Sequence, residues 1–218
     1  MSIKVDLHTH SAASPDGALT VADYQRILKE GRLDCIAVTD HNTIDFARKL
    51  QADLGAQIII GEEISTGDGE IIGLYLSRAV PAGLSAMQAA TAVRSQGGLV
   101  YIPHPFETVR SGISLVTLNR IAQLVDIIEV HNGRAVFQNR GAIARQWAAD
   151  HHVASAASSD AHGQSGWGRT YSVLSVQPSR ETLPQLLQTA ELQTGYVGVR
   201  GILYPKLNRM RRKLKMGN

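Results

Sequence analysis

Short apolar runs alternate with amphipathic stretches along nearly the whole chain, and this alternation is the strongest constraint on its fold. Several of the runs are apolar throughout, as in strands that are buried on both faces of a sheet. Such alternation predicts an α/β protein with a mainly parallel sheet, either open or closed into a barrel. The predicted strands cover residues 3–7, 35–38, 57–60, 71–76, 99–102, 127–130, 154–157 and 171–176.

Helical patterns occupy most of the intervals between these strands. Thr20 is the expected N-cap of the first helix, and Asn42 or Thr43 that of the second, because their side-chain oxygens can accept from free backbone N–H groups. Gly97-Gly98 is the expected stop of the third helix. The predicted helices cover residues 21–30, 44–54, 85–96, 115–124, 137–150 and 180–192. Because no linker interrupts the pattern, we expect one domain over residues 1–203 and a tail over residues 204–218.

The tail carries six basic residues and no acidic one. Since the whole chain has a net charge of +3, the remainder without these six charges stands at −3. Two interpretations stay open: a frayed, solvated terminus, or a segment that contacts nucleic acid, anionic lipid or another anionic partner. The six residues are Lys206, Arg209, Arg211, Arg212, Lys213 and Lys215.

The composition excludes several classes of protein. The hydrophobic fraction of 44% is ordinary for a soluble globular protein, and no apolar run reaches the length of a membrane span. No secretory signal peptide is visible at the N-terminus. The single cysteine, Cys35, excludes an internal disulfide and is expected to be a buried thiol. Together these features predict a cytoplasmic protein.

Histidines and acidic residues cluster where the predicted strands end. His8 and His10 are two positions apart, so strand geometry places both imidazoles on the same face. Further strands also end in His, Asp or Glu, and the C-terminal ends of parallel strands emerge on one face of a barrel. Burying so many ionisable groups is costly unless divalent cations compensate. The candidate metal ligands are His8, His10, Asp16, His41, Glu63, His104, His131, Asp160 and His162.

Imidazole and carboxylate donors without thiolate suit zinc, manganese or ferrous iron. Nine ligands are enough for two or three ions that share carboxylates. Ions a few ångströms apart favour displacement at phosphorus, because they generate hydroxide at neutral pH and neutralise charge on the leaving oxygen. The alternative is a set of histidines and acids with a purely structural role.

The strand-end residues resemble, in order and in combination, the motifs of the PHP (polymerase and histidinol phosphatase) superfamily. The resemblance extends from residue 3 to about residue 176. It implies a distorted (β/α)7 TIM-like barrel with a trinuclear metal site at the C-terminal ends of the strands. The motifs are Asp6-Leu7-His8-Thr9-His10-Ser11, Thr39-Asp40-His41-Asn42, Gly61-Glu62-Glu63-Ile64-Ser65, His104-Pro105, Glu129-Val130-His131-Asn132 and Ser159-Asp160-Ala161-His162.

The resemblance also implies how three ions would share the ligands. One ion would be held by His8, His10, Glu63 and Asp160. A second would be held by Glu63, His104 and His131, with Glu63 bridging, and the third by Asp16, His41 and His162. Strand alternation lets only one of Glu62 and Glu63 face the site, and the family motif favours Glu63. Asp40 is expected to orient a ligand or to cap the following helix.

The chain departs from some relatives in one respect. Members that resemble nucleotide and oligonucleotide phosphatases often carry an inserted helical domain between the Glu63 motif and His104-Pro105. The interval between these motifs leaves no room for such an insertion here. We therefore expect a more open substrate pocket.

Phosphate recognition requires cations in addition to metal ions, and the planar fork of arginine matches phosphate oxygens. Arg134 and Arg169 follow two of the ligand-bearing strand ends and are expected to bind the phosphate. The alternative for each is a salt bridge at the rim. Arg110, which follows His104-Pro105, is a weaker candidate.

The leading hypothesis is a metal-dependent phosphoesterase acting on a small phosphorylated substrate, in which a metal-bound hydroxide attacks phosphorus in line. The candidate catalytic residues are His10, Arg134 and Arg169, with the arginines stabilising negative charge. One alternative is a nuclease acting on oligonucleotide ends, which the basic tail motivates. Another is a non-catalytic, metal-stabilised interaction module. A third alternative is attack of a metal-bound hydroxide on carbon, as in barrel amidohydrolases. Those enzymes resemble this chain in the logic of their chemistry but not in the order of their motifs.

Overall fold

The computed structural model describes residues 2–136 and 138–216. All the described strands form one sheet, in the order β7-β6-β5-β4-β3-β2-β1-β8-β9. The strands are β1 (Ile3–Asp6), β2 (Cys35–Val38), β3 (Ile58–Thr66), β4 (Gly69–Leu74), β5 (Leu99–Ile102), β6 (Ile127–Asn132), β7 (Ala154–Ser158), β8 (Thr170–Leu174) and β9 (Glu191–Thr194).

The sheet contains two parallel groups of three strands, β1 to β3 and β5 to β7. Strand β4 joins the groups and runs antiparallel to both of its neighbours, because the chain reverses at Gly67-Asp68 directly after β3. Strand β8 is antiparallel to β1, and β9 is antiparallel to β8. The sheet is therefore mixed, although a mainly parallel sheet was expected.

The curved sheet nearly closes where β7 approaches β8. The backbone N–H of Ala157 donates to Ser172 Oγ at 3.0 Å, and the same hydroxyl lies 3.2 Å from the carbonyl oxygen of Ala157, to which it donates. The Ser172 side chain thus takes the place of regular backbone hydrogen bonds between β7 and β8 at this seam of the barrel. The predicted distorted TIM-like barrel is confirmed, with a strand count that differs slightly from the expected seven.

The described helices cover the outside and one end of the barrel. Thr20 precedes the first helix, and its backbone N–H donates to Asp23 at 2.9 Å, as expected for a helix start. The second helix starts after Ile44, one residue beyond the expected Thr43 cap. The helices are α1 (Val21–Lys29), α2 (Asp45–Leu54), α3 (Ala86–Ser95), α4 (Leu115–Ile121), α5 (Gly141–His151), α6 (Leu183–Gln188) and α7 (Gly198–Met216).

Two predicted helices differ from the structure. The helix expected over residues 180–192 was too long, because only Leu183–Gln188 is helical and Glu191–Thr194 forms strand β9. Strand β9 is mostly exposed and is fixed by backbone pairing with β8, which apolar periodicity does not register. The helix expected over residues 137–150 starts at Phe137, which lies outside the described residues, and α5 begins at Gly141.

A buried apolar cluster draws side chains from every strand between β1 and β8 and therefore fills the barrel interior. The buried thiol of Cys35 belongs to it, as expected. Leu183 and Leu187 of α6 join this cluster beside residues at which parallel strands begin, such as Leu99 and Ile127. Helix α6 thus covers the N-terminal end of the barrel, and the opposite end carries the polar strand termini.

Helix α7 spans Gly198–Met216, so the expected boundary between residues 203 and 204 falls inside a helix. Gly217 and Asn218, the last two residues of the expected tail, lie outside the described residues. Among the residues that the structure describes, no helix combines the length and apolar character needed to cross a membrane.

Replacing Ser172 by Ala tests the seam between β7 and β8. Because Ala157 would lose the partner of a buried N–H, we expect the free energy of unfolding to fall by about 1–3 kcal/mol. Urea unfolding followed by circular dichroism measures this change. Ser175→Ala, at an exposed position just after β8, is the matched control and should leave the midpoint unchanged. Equal midpoints for the two variants would contradict the role of Ser172.

Candidate metal centre

Eight of the nine predicted ligands meet at the C-terminal end of the barrel, where the parallel strands terminate. Most are almost completely buried, while His41 retains 16% of its side-chain exposure. These residues are His8, His10, Asp16, His41, Glu63, His104, Asp160 and His162.

The carboxylate of Glu63 lies at the middle of this cluster. Its Oε1 is 3.0 Å from His104 Nε2 and 3.5 Å from His8 Nε2. Its Oε2 is 3.2 Å from His10 Nε2 and 3.3 Å from His41 Nδ1. The neighbouring Glu62 points to the other face of β3 and accepts from the backbone N–H of Val80 at 2.8 Å. Strand alternation thus separates the two glutamates.

Asp160 and Asp16 complete the anionic part of the cluster. Asp160 Oδ1 is 3.5 Å from His10 Nε2 and 3.3 Å from His162 Nδ1. Asp16 Oδ2 is 3.5 Å from both His41 Nε2 and His162 Nε2. Burial alone would raise the pKa of Asp16, but hydrogen bonds from His162 and His41 hold it well below its usual range.

The donor atoms converge as a metal site requires. In each of four groups, one nitrogen or oxygen per residue lies within 4.8 Å of all the others. The groups are His10, Asp16, His41 and His162; His8, His10 and Glu63; His8, His104 and Asp160; and His41, Glu63 and Glu70. The cluster is therefore able to hold metal ions, and its imidazole and carboxylate donors fit divalent cations such as zinc, manganese or iron.

Electrostatics point the same way. Burial alone would lower the pKa of His10, but hydrogen bonds to Asp160 and Glu63 raise it to about 10. The ring of His162 stacks on that of His10 with centroids 4.1 Å apart. Burial, together with the positive charges of His10 and Arg134, lowers the pKa of His162 to about 3. The buried anionic oxygens thus draw positive charge into the cluster, which is the property of a cation site.

Two of the candidate ligands have a strained backbone. His104 and Asp160 have φ values of 28° and 52°, in a region that residues with side chains seldom occupy. Such strain persists only where the surroundings hold it in place, and it is common at functional sites. At His104, the neighbouring loop passes so closely that a Cβ on Gly112 would lie 2.3 Å from the carbonyl oxygen of His104.

Buried acids behind the cluster hold the ligands in place. Glu129 lies 3.3 Å from His8 Nδ1 and accepts from the backbone N–H of His104 at 2.7 Å. Asp6 accepts from the Ser159 backbone N–H at 3.0 Å and so anchors the segment that carries Asp160. Burial raises the pKa of Asp6 to about 7 despite these hydrogen bonds.

Asp40 has a similar anchoring position. Its Oδ1 accepts from the backbone N–H of Ser11, the residue after His10, at 2.6 Å. Asp40 is in none of the four groups of donor atoms. This position matches the expectation that Asp40 orients a ligand.

The structure does not bring His131 into the cluster. A β-bulge between Glu129 and His131 shifts the register of β6 against β7, and a bulge changes which side chains face inward. Glu129 and Asn132 therefore both face the site, where Asn132 donates to Glu129 at 2.8 Å. His131 instead lies with its Nε2 3.2 Å from the carbonyl oxygen of Gly195.

The three candidate arginines occupy different environments. Arg134 Nη1 donates to Asp160 at 3.1 Å at the edge of the cluster. Arg110 also reaches Asp160, at 2.7 Å, and forms a two-pronged ion pair with Glu107. Arg169 is exposed and is not among the residues that line the cleft above the cluster.

Glu70 is a site residue that was not predicted from the sequence. It lies at the start of β4, with its carboxylate oxygens 3.6 Å from His41 Nδ1 and 3.8 Å from His104 Nε2. Burial and the charge of Glu63 raise its pKa to about 9. The Gly67-Asp68-Gly69 turn was a usable signal, because a hairpin there pairs Glu70 with Ser65 and places it on the same face as Glu63.

A cleft of about 250 Å³ opens above the cluster to solvent. Its floor is formed by candidate ligands and its walls by Arg110, Arg134 and Arg209. Arg209 belongs to α7, and the sequence analysis had assigned it to the tail. A small anion can therefore reach the candidate ligands between guanidinium groups.

Comparisons with known proteins agree with this geometry. The PHP domain family matches residues 6–164 of the chain. The uncharacterized protein MJ1587 of Methanocaldococcus jannaschii is 34% identical over 144 residues, which cover 60% of this chain and 82% of that protein.

Two solved structures show the same fold at low sequence identity. A two-domain protein from Bacteroides vulgatus, containing a predicted PHP-like metal-dependent phosphoesterase, matches with a TM-score of 0.70 and 21% identity over 96% of this chain and 70% of that one. Endonuclease Q, in complex with a 27-mer duplex substrate bearing an abasic lesion, matches with a TM-score of 0.58 and 14% identity over 88% and 58%. Because the family match covers well over half of the sequence, this chain belongs to the PHP domain family.

Proposed function

We propose that this chain is a metal-dependent phosphoesterase that hydrolyses a phosphate ester bound in the cleft. The observation that carries the proposal is the convergence of five histidines and three carboxylates beneath a cleft with arginine walls. Bound divalent ions would supply Lewis-acid activation of the ester and of water. The proposed ligands are His8, His10, Asp16, His41, Glu63, His104, Asp160 and His162.

Arg134 is the proposed phosphate-binding residue of the barrel. Its Nη1 is anchored to Asp160, and its Nε is a buried donor without a hydrogen-bond partner among the described residues. The side chain lines the cleft and is 13% exposed, so a phosphate oxygen there could accept from an N–H group on the exposed part of the guanidinium. The guanidinium of Arg110 is already engaged with Glu107, Asn132 and Asp160, so we assign it a role in holding Asp160.

The proposal is tested on p-nitrophenyl phosphate and nucleotides with manganese, zinc and iron supplied separately. We expect hydrolysis that requires one of these ions and stops when a chelator removes it, because the cluster without its ions has no Lewis acid. Metal content and turnover are measured on the same preparation. Stoichiometric metal without turnover on any phosphate ester would support the metal-stabilised interaction module instead.

Glu63→Gln should remove bound metal and lower the rate by at least about 100-fold, because the central buried charge is lost. Metal content by mass spectrometry and hydrolysis rate are the measurements. Glu62→Gln is the matched control, since Glu62 faces Val80 on the other side of the strand, and it should keep both. Equal losses in the two variants would argue against a metal centre at Glu63.

An oligonucleotide is the second candidate substrate. The specific observation is a pocket of about 320 Å³ beside the cleft, lined by Arg134, Lys206, Arg209 and Lys213 together with apolar residues of α7. Such a pocket could bind the anionic backbone of an oligonucleotide where it extends away from the cluster.

Replacing both Lys206 and Lys213 by Ala tests this candidate. If both contact phosphates of a single strand, the slope of log affinity against log salt concentration should weaken by about 1.4. Fluorescence anisotropy with a labelled oligonucleotide measures the slope. Lys29→Ala with Lys49→Ala is the control, because both lysines are exposed on other helices. An unchanged slope in the first variant counts against a nucleic-acid substrate.

A further inference from the structure

Helix α7 is docked on the two loops that carry Asp16 and His162. The side chain of Asn208 is 5% exposed, and its Nδ2 lies 2.7 Å from the carbonyl oxygen of Asp16 and 3.3 Å from that of His162. One amide thus joins the helix to both loops. Because a buried amide requires such partners, this contact fixes the position of the helix on the rim.

Packing around Asn208 supports the same position. The ring of Tyr204 lies against Gly163, where an added Cβ would approach Tyr204 Cε2 to 2.6 Å. Arg212 donates to the carbonyl oxygen of Ala12, which lies in the loop that carries Asp16. The helix therefore contacts both ligand-bearing loops, and a side chain at position 163 would require the Tyr204 ring to move.

This docking places the guanidinium of Arg209 at the edge of the candidate metal centre. Its Nη2 lies 2.5 Å from Asp16 Oδ2, while 59% of the side chain stays exposed. Arg209 lines both the cleft and the pocket beside it, as does Arg134. Two guanidinium groups from different parts of the chain thus flank the same opening.

Asp16 does not depend on Arg209 to satisfy its carboxylate. Its Oδ1 accepts from Ser14 Oγ at 2.9 Å, and its Oδ2 lies near His41 and His162. The exposed face of Arg209 retains free donors, since the planar fork carries five N–H groups. Arg209 can therefore turn these donors towards an anion in the cleft while it stays beside Asp16.

We propose that Arg209 of helix α7 binds the phosphoryl oxygens of the substrate together with Arg134, and that Asn208 positions it by anchoring the helix. This inference rests on the proposed phosphoesterase function and names a residue of that same site. The segment expected to be a tail is thus a wall of the active-site cleft. Two guanidinium groups at one cleft suit a phosphate with two or more free oxygens.

The test uses the full-length, manganese-loaded protein with inorganic phosphate as the probe, so that it does not depend on turnover. Arg209→Ala should raise the dissociation constant of phosphate in calorimetry about 10-fold or more, because a charge-assisted contact is lost. Arg209→Lys should recover part of the affinity. Arg200→Ala, an exposed arginine of the same helix, is the matched control and should bind phosphate like the wild type.

Two further readouts separate binding from structure. Metal content should be unchanged in Arg209→Ala. For any ester that the protein hydrolyses, this substitution should raise both the KM and the inhibition constant of phosphate. Asn208→Ala should weaken phosphate binding in the same direction while Arg209 is intact, as expected for a positioning residue. Unchanged phosphate affinity in Arg209→Ala, or a loss explained by lost metal, would overturn the assignment. Failure of the wild type to hydrolyse any ester would overturn the phosphoesterase proposal, yet the phosphate-binding comparison would still decide on Arg209.

Discussion

The charge of Glu63 is the interaction on which the rest of the site depends. A carboxylate that is 1% exposed needs compensation for its lost hydration, and four imidazoles from three segments of the chain surround it within 3.5 Å. His8 and His10 follow the end of β1, His41 follows β2, and His104 follows β5. The charge balance at Glu63 therefore depends on correct barrel closure, because an incorrectly paired strand would remove one or two of these imidazoles from the anion.

Buried acids behind the ligands extend this constraint into the barrel wall. Glu129 contacts both His8 and the backbone of His104, and Asp6 holds the strained segment that presents Asp160. Neither acid can be replaced by an apolar residue without leaving buried donors unpaired. The orientation of the ligands is thus fixed by polar contacts that also join strands distant in sequence, so the geometry of the site and the integrity of the fold depend on the same residues.

Most of the fold and much of the site could be predicted, because strand ends are visible as apolar runs that stop at histidines and acids. The site in the structure differs from the prediction at three residues, each for its own reason. The β-bulge in β6 removes His131 from the cluster, and no periodicity announces a bulge. Glu70 enters through a hairpin within an otherwise parallel group of strands. Arg209 is 193 positions from Asp16, and such a contact exists only once the tertiary fold has formed.

The docking of α7 has a consequence for local stability. A helix held by few buried side chains opens at a lower free energy than a closed sheet, and such openings occur while the rest of the molecule stays folded. Opening of α7 would break the contact between Asn208 and the two ligand loops but leave the histidines around Glu63 in place. The molecule would then keep its assembled cluster of candidate metal ligands, but one wall of the cleft would be missing. The free energy of fraying at one helix would therefore set the fraction of molecules with a complete anion site, independently of global unfolding.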